Sequence, residues 1–220
     1  MLLPLLLTLS APALADDVES WSAVFFTAAP APEASGFRLW TDLHFRRTAT
    51  STVGIVRPGV GWQITPWFSV WAGYAWVPTK PDGLELVHEH RGWEQLIFQH
   101  RHDRLAFSAR VRQEQRVRPG EAQVNHRTRL MARFGVTLGG PVSLQVFDEL
   151  FVSYNPTDWF DVAGYDQNRF FVGPSFDAFK GARVEVGYFN NHLARGGSAV
   201  MNHAVAINLF FHVQPADEGK

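Results

Sequence analysis

The residues best able to do chemistry in this chain are arginines and carboxylates that recur every second position. In RVRQEQRVR (110–118), Arg110, Arg112, Glu114 and Arg116 fall on one side of an extended chain. Arginine offers a planar fork of N–H donors that matches a carboxylate or phosphate, so such a row can hold ion pairs or capture anions. Other candidates are weaker. His44 lies beside Asp42 on one face, and Ser153 sits near a strand end, but neither forms a recognisable nucleophile–base spacing and no G-x-S-x-G occurs. His88-Glu89-His90 would place two histidines on one face of a strand, yet Arg91 and a loop position favour a solvated rim over a metal site. No catalytic residue, metal ligand or cofactor is assigned from the sequence, and the protein is not expected to be an enzyme.

The elements that must position these side chains follow from period two. In GFRLWTDLHFRR, Phe37, Leu39, Leu43 and Phe45 share one face; Arg38, Trp40, Asp42, His44 and Arg46 share the other. The alternation returns over 67–77, 104–117, 126–138, 169–179, 182–189 and 202–213. It is less regular over 89–101 and 141–155, while 57–65 puts Pro58, Val60, Trp62 and Ile64 on one face. In 141–155, Glu149 is read as inward and Asp148 as near a rim. In 57–65, Gly59 and Gly61 leave one face small, which suits a curved strand.

The chain has 220 residues, a net charge of -1 and no cysteine. That fits one large all-β domain, disfavours a general polyanion binder and excludes thiol chemistry. No Gly-rich phosphate loop or nucleic-acid module is present, so no nucleic-acid partner is expected. MLLPLLLTLSAPALA (1–15) reads as a signal peptide, with an apolar core and Ala13-Leu14-Ala15 as the cleavage pattern, although no Lys or Arg precedes the core.

Strands of this length, a leader and arginine-rich polar faces point to an antiparallel transmembrane β-barrel of the bacterial outer membrane. A lipocalin-like barrel or β-sandwich with the apolar face inward is the soluble alternative. Short links near 65–66, 102–103, 139–141 and 180–181 alternate with longer ones near 47–51, 78–88, 118–125, 155–166 and 193–200. That is the arrangement of periplasmic turns and extracellular loops. Trp62, Trp67, Trp76, Trp159 and Phe160 lie near strand ends, where interface girdles form. The barrel is expected over 37–213, after an N-terminal segment (16–36) and before a polar tail (214–220). Ten strands are expected, with twelve as the alternative. SWSAVFFTA (20–28) also has strand character, but counting it gives an odd number, which single-chain bacterial barrels avoid. Either it lies in the lumen or another strand is hidden.

EHRGWEQ (89–95), RVRQEQR (110–116), FDELF (147–151) and QNRFFVG (167–173), in this order, resemble the bacterial family called domain of unknown function 2490. The resemblance covers nearly all of the chain after the leader. It implies an outer-membrane barrel and no assigned activity. Many outer-membrane proteins end on an aromatic residue, whereas here Phe210-Phe211-His212-Val213 is followed by QPADEGK.

With apolar faces toward lipid, the lumen is lined by Arg38, Arg91, Arg110, Arg112, Arg116, Arg127, Arg129, Arg133, Arg169 and Arg183. Asp42, Glu114, Glu149 and Glu185 share that parity. Arginines outnumber carboxylates, so the interior would carry positive potential and favour small anions. Passive passage or binding of such solutes is the leading expectation. A closed, ion-paired structural or surface-interaction barrel is the alternative, and a lipid-modifying enzyme is a further one. Expected partners are membrane lipid, lipopolysaccharide, the barrel-assembly machinery and a small anionic solute.

Overall fold

The computed structural model describes residues 17–29, 36–195 and 198–213; the segments expected as signal peptide (1–15) and polar tail (214–220) lie outside them. The described residues form a closed barrel of eleven strands and no helix. In chain order these are β1 (Asp17–Ala28), β2 (Gly36–Arg47), β3 (Ser51–Thr65), β4 (Phe68–Pro81), β5 (Val87–His102) and β6 (Leu105–Val117). They continue as β7 (Asn125–Gly139), β8 (Val142–Ser153), β9 (Gly164–Phe179), β10 (Ala182–Arg195) and β11 (Ser198–Val213).

The expectation of ten or twelve strands, all antiparallel, is therefore corrected. The segment 20–28 is not lumenal, and no twelfth strand accompanies it among the described residues. It belongs to β1, which takes its place in the wall, so the barrel begins at Asp17 rather than Phe37. Neighbours run antiparallel throughout except at the closure, where β1 pairs with β11 in parallel. A ring of alternating strands closes without conflict only when the count is even; an odd count forces one parallel seam. Parallel pairing is slightly weaker per residue. Here the seam carries two stacked aromatic pairs in register, Phe25 on Phe210 at 4.7 Å and Phe26 on Phe211 at 5.1 Å.

The strand polarity is inverted relative to a water-soluble barrel. Buried polar side chains include Asp42, Arg57, Arg112, Glu114, Glu149 and Glu185, all inside the ring. Leu39, Phe45, Val60, Trp62, Leu130 and Phe134 are exposed on the outer face. Single residues break the outer pattern. Asp148 points outward at the middle of β8, not at a rim, and accepts a hydrogen bond from Asn168 at 2.9 Å. Glu94 is outward too and is bonded by Gln115 at 3.1 Å.

Two-residue links join β3–β4, β5–β6, β7–β8 and β9–β10 at one end. The longer links 82–86, 118–124 and 154–163 gather at the other, where Asp17 also lies. The β5–β6 turn is made by Asp103, whose φ of 48° is a conformation aspartate tolerates better than most side chains.

Inside, one sector is packed by shape. Trp93 and Trp71 lie against the small face of β3 and β4, with Ile55, Ala75 and Val77. A Cβ at Gly59 or Gly73 would overlap the Trp93 ring, and one at Gly61 would overlap Trp71. The glycines read as permitting curvature thus also make room for two indoles. A second apolar cluster, Trp21, Phe171, Phe189, Ala204 and Ala206, packs behind the seam.

Candidate functional site

The interior charges come chiefly from β5 to β9. Period two brings alternate residues inward, and antiparallel register then sets Glu114 beside Arg127 and Arg112 beside Arg129. From these positions the guanidinium forks reach across neighbouring strands. Glu114 accepts from Arg127 at 2.6 Å and from Arg129 at 2.8 Å. Arg129 turns its other edge to Glu149 at 2.8 and 3.0 Å, and Arg110 reaches the same carboxylate at 2.5 Å. Arg127 also donates to Asp166 at 2.9 Å. Arg129 therefore joins two carboxylates into one network across the barrel. Arg127, Arg129 and Arg169 surround the Phe151 ring at 4.4 to 5.0 Å, which supplies a polarizable face where further carboxylates are lacking.

Nearer the long-link end, Glu89 accepts from Arg116 at 2.7 and 3.1 Å and from Arg91 at 2.6 Å. Arg116 continues to Asn125 at 3.0 Å, and Asn125 donates to Ser153 at 2.7 Å. Above them the link between β8 and β9 is folded against Gln123: the Asp158 and Trp159 N–H groups donate to it at 2.9 and 3.3 Å. Phe160 lies 4.4 Å from the Arg116 guanidinium and Trp159 lies 4.7 Å from that of Arg118. This end is covered by its own link. At its edge, outside the strands, Asp82 is held below the usual carboxylate range by hydrogen bonds from Arg47 at 2.8 Å.

On the opposite wall Asp42 is fully enclosed. Arg57 donates to it at 2.7 to 3.0 Å, Trp40 at 2.5 Å, and His44 lies 2.5 Å away. Arg112, fully buried, bonds only Gln95, at 2.8 and 2.5 Å, and lies 4.7 Å from the Trp93 ring.

Toward the short-turn end the interior opens into a cavity of about 1080 Å³. Pro66, Gly140 and Gly181 of the short turns line it, so its mouth lies there. Arg110, Arg133 and Arg183 face it. Arg133 donates to Glu185, and Arg183 lies 3.6 Å from the same carboxylate. The buried Nε atoms of Arg110 and Arg183 have no hydrogen-bond partner.

Thus Arg91, Arg110, Arg112, Glu114, Arg116, Arg127, Arg129 and Glu149 meet in or beside one network. Arg133, Arg183 and Glu185 form a second group at the cavity. Asp42 belongs to a separate cluster with Arg57. Arg169 stacks near Trp21 at 4.9 Å and donates to Gln167 at 3.3 Å, and Arg38 donates to the Phe37 carbonyl at 2.9 Å. Sequence reasoning passed over Arg57, Glu89 and Asp166. Arg57 shares parity with Gly59 and Gly61, a face read as merely small. Glu89 shares parity with Arg91 but was absorbed into the His-Glu-His reading.

The weaker chemical candidates are engaged elsewhere. Ser153 is bonded by Asn125 and has no histidine beside it. His88 and His90 point outward, where His88 accepts from Trp76 at 3.1 Å and His90 meets the Tyr74 hydroxyl. Among the described residues no cluster of potential metal ligands is present.

A closed barrel with buried ion pairs inside and apolar residues outside defines the class of this protein. Within that class, the chain belongs to the family described as protein of unknown function DUF2490, which it matches over residues 18–202. It is similar to an uncharacterized protein of Methylorubrum extorquens, 32% identical over 161 residues, covering 71% of each chain. Neither comparison carries an activity.

Proposed function

We propose that this protein is a bacterial outer-membrane barrel that binds small anionic solutes in its arginine-lined interior, entered from the short-turn end. The observation that carries the reading is the inverted polarity: fully buried Arg112, Glu114 and Asp42 inside, and exposed Phe45, Trp62 and Phe134 outside. A chain with that outer face needs hydrocarbon around it. The leader over 1–15 supplies the export route, with the assembly machinery as the partner for insertion and lipid with lipopolysaccharide as the surroundings. The exposed Tyr74–His90 and Trp76–His88 contacts then lie in the outer girdle.

Binding is favoured over passage by the network itself. Glu114, Glu149, Arg127 and Arg129 close the middle of the barrel with bonded side chains, and the β8–β9 link covers the far end. A closed structural barrel is the second reading, favoured by how completely these groups satisfy one another. The vestibule favours binding, because Arg110, Arg133 and Arg183 line it, the last two share one carboxylate, and the Arg183 side chain is 37% exposed.

The test is membrane fractionation followed by planar-bilayer recording of the purified chain in a salt gradient. The expected result is outer-membrane localisation and an electrically silent, folded barrel that binds inorganic phosphate in a salt-sensitive way. Recovery of the chain as a soluble protein would overturn the membrane reading. Anion-selective current steps would replace binding with passage. A silent barrel that binds no anion would leave the structural reading in possession.

A further inference from the structure

The vestibule has two chemically different walls. On one, Arg110 of β6, Arg133 of β7 and Arg183 of β10 present guanidinium groups; Arg101 stands at the mouth. On the other, Phe25 of β1, Trp40 of β2, Ile97 of β5 and Phe210 of β11 present apolar surface. The walls meet at Phe210. One neighbour of its ring is Phe25, stacked at 4.7 Å; Arg183 and Arg133 lie 5.0 and 5.7 Å from its centroid. Asp177 is the one carboxylate among the described lining residues.

This arrangement selects against both simpler ligands. A small hydrated anion would offset the excess positive charge where Arg133 and Arg183 share the single carboxylate of Glu185, but leave the aromatic wall in water. A neutral apolar ligand would cover that wall and desolvate Arg133 and Arg183, which share one carboxylate, without supplying a further acceptor, which is costly. A molecule with both parts satisfies both walls. A cavity of about 1080 Å³ stands at the top of the range that drug-sized ligands occupy. We infer that the natural ligand is an amphipathic organic anion: a carboxylate or phosphate carrying an aromatic or short acyl group. The anionic head lies against Arg110 and Arg183, and the apolar part lies along Phe25, Trp40 and Phe210. The inference rests on the anion-binding reading above and narrows it to a class.

The experiment is calorimetric titration of the full chain in lipid nanodiscs, with empty nanodiscs subtracted. Three probes separate the contributions: 2-naphthoate, neutral 2-naphthamide and inorganic phosphate. Naphthoate is expected to bind at least about tenfold tighter than either, a difference of roughly 1.4 kcal/mol. Phe210→Ala should weaken naphthoate at least about fivefold, and Arg183→Gln should weaken both naphthoate and phosphate. Tyr188→Phe, on the outer wall, should change neither. Phosphate binding as tightly as naphthoate would overturn the inference and leave the anion-binding reading standing. Equal binding of naphthoate and naphthamide would overturn both, and so would a heat-modifiable, folded barrel that binds none of the three.

Discussion

The wall from β5 to β9 and the wall formed by β3 and β4 fill the same lumen by different means. The first uses charge: Glu114, Glu149 and Glu89 are each gripped by two arginines. The second uses shape: Trp93 and Trp71 lie where Gly59, Gly61 and Gly73 leave space. A charged interior is specified by pairing and fails when one partner is lost. A shape-filled interior is specified by volume and fails when volume is added. The two walls should therefore respond to opposite kinds of substitution.

The largest effect is expected on the charged side. Glu114→Leu takes one buried carboxylate from both Arg127 and Arg129, leaving them Asp166 and Glu149, and should cost about 3 kcal/mol, read as a lowered urea midpoint of the barrel in detergent. An unchanged midpoint would mean that the network is not a unit. On the other wall, Gly61→Val should cost about 1–3 kcal/mol by overpacking against Trp71, and the added change Trp71→Leu should recover most of it. Failure of that rescue would show that Gly61 is required for the backbone rather than for the indole.

Arg112 belongs to neither scheme fully, since its hydrogen bonds go to Gln95 rather than to a carboxylate. Replacing both, as Arg112→Met with Gln95→Leu, removes donor and acceptor together and should stay within about 1 kcal/mol of the parent, while Gln95→Leu alone is worse. A double variant worse than the single one would tie Arg112 to the neighbouring charges instead.

The smallest effect is expected at the rim. The Arg47–Asp82 pair is half exposed, so Asp82→Asn should leave the melting temperature at neutral pH within error. Because Asp82 is held below its ordinary range, whatever it contributes is present above its unfolded pKa and disappears as pH falls through the folded one. Melting curves of parent and variant should converge in acid.

Much of this barrel was legible because alternation is a local property. Phe37 to Arg46 and Leu105 to Val117 declare both faces without help from distant residues. The place of the first strand was not: its strand character was plain, but counting it gave an odd number, which only the parallel seam of the closed ring accommodates. Trp21 and Ala23 are buried inside, while Ser20 and Ser22 are exposed outside. Read alone, that segment looks like a lumenal insert, and only its pairing with β2 and β11 places it in the wall. The candidate site was half legible. Parity identified the inward arginines, but Arg110 bonding Glu149, thirty-nine positions away and two strands over, depends on barrel stagger, a property of the closed ring. The vestibule with its two walls was not legible at all, since each wall combines strands far apart in the chain.

The parallel seam has a topological consequence. Because β1 and β11 run the same way, Asp17 and Val213 lie on opposite rims, separated by the length of a strand of about 40 Å. An even barrel brings its first and last strands to one rim, where a few residues can join them. Here no short linker can do so, and a circular permutant would have to send its connection through the lumen or around the outside. A tag fused before Asp17 and one fused after Val213 would be read by antibodies from different sides of the same wall.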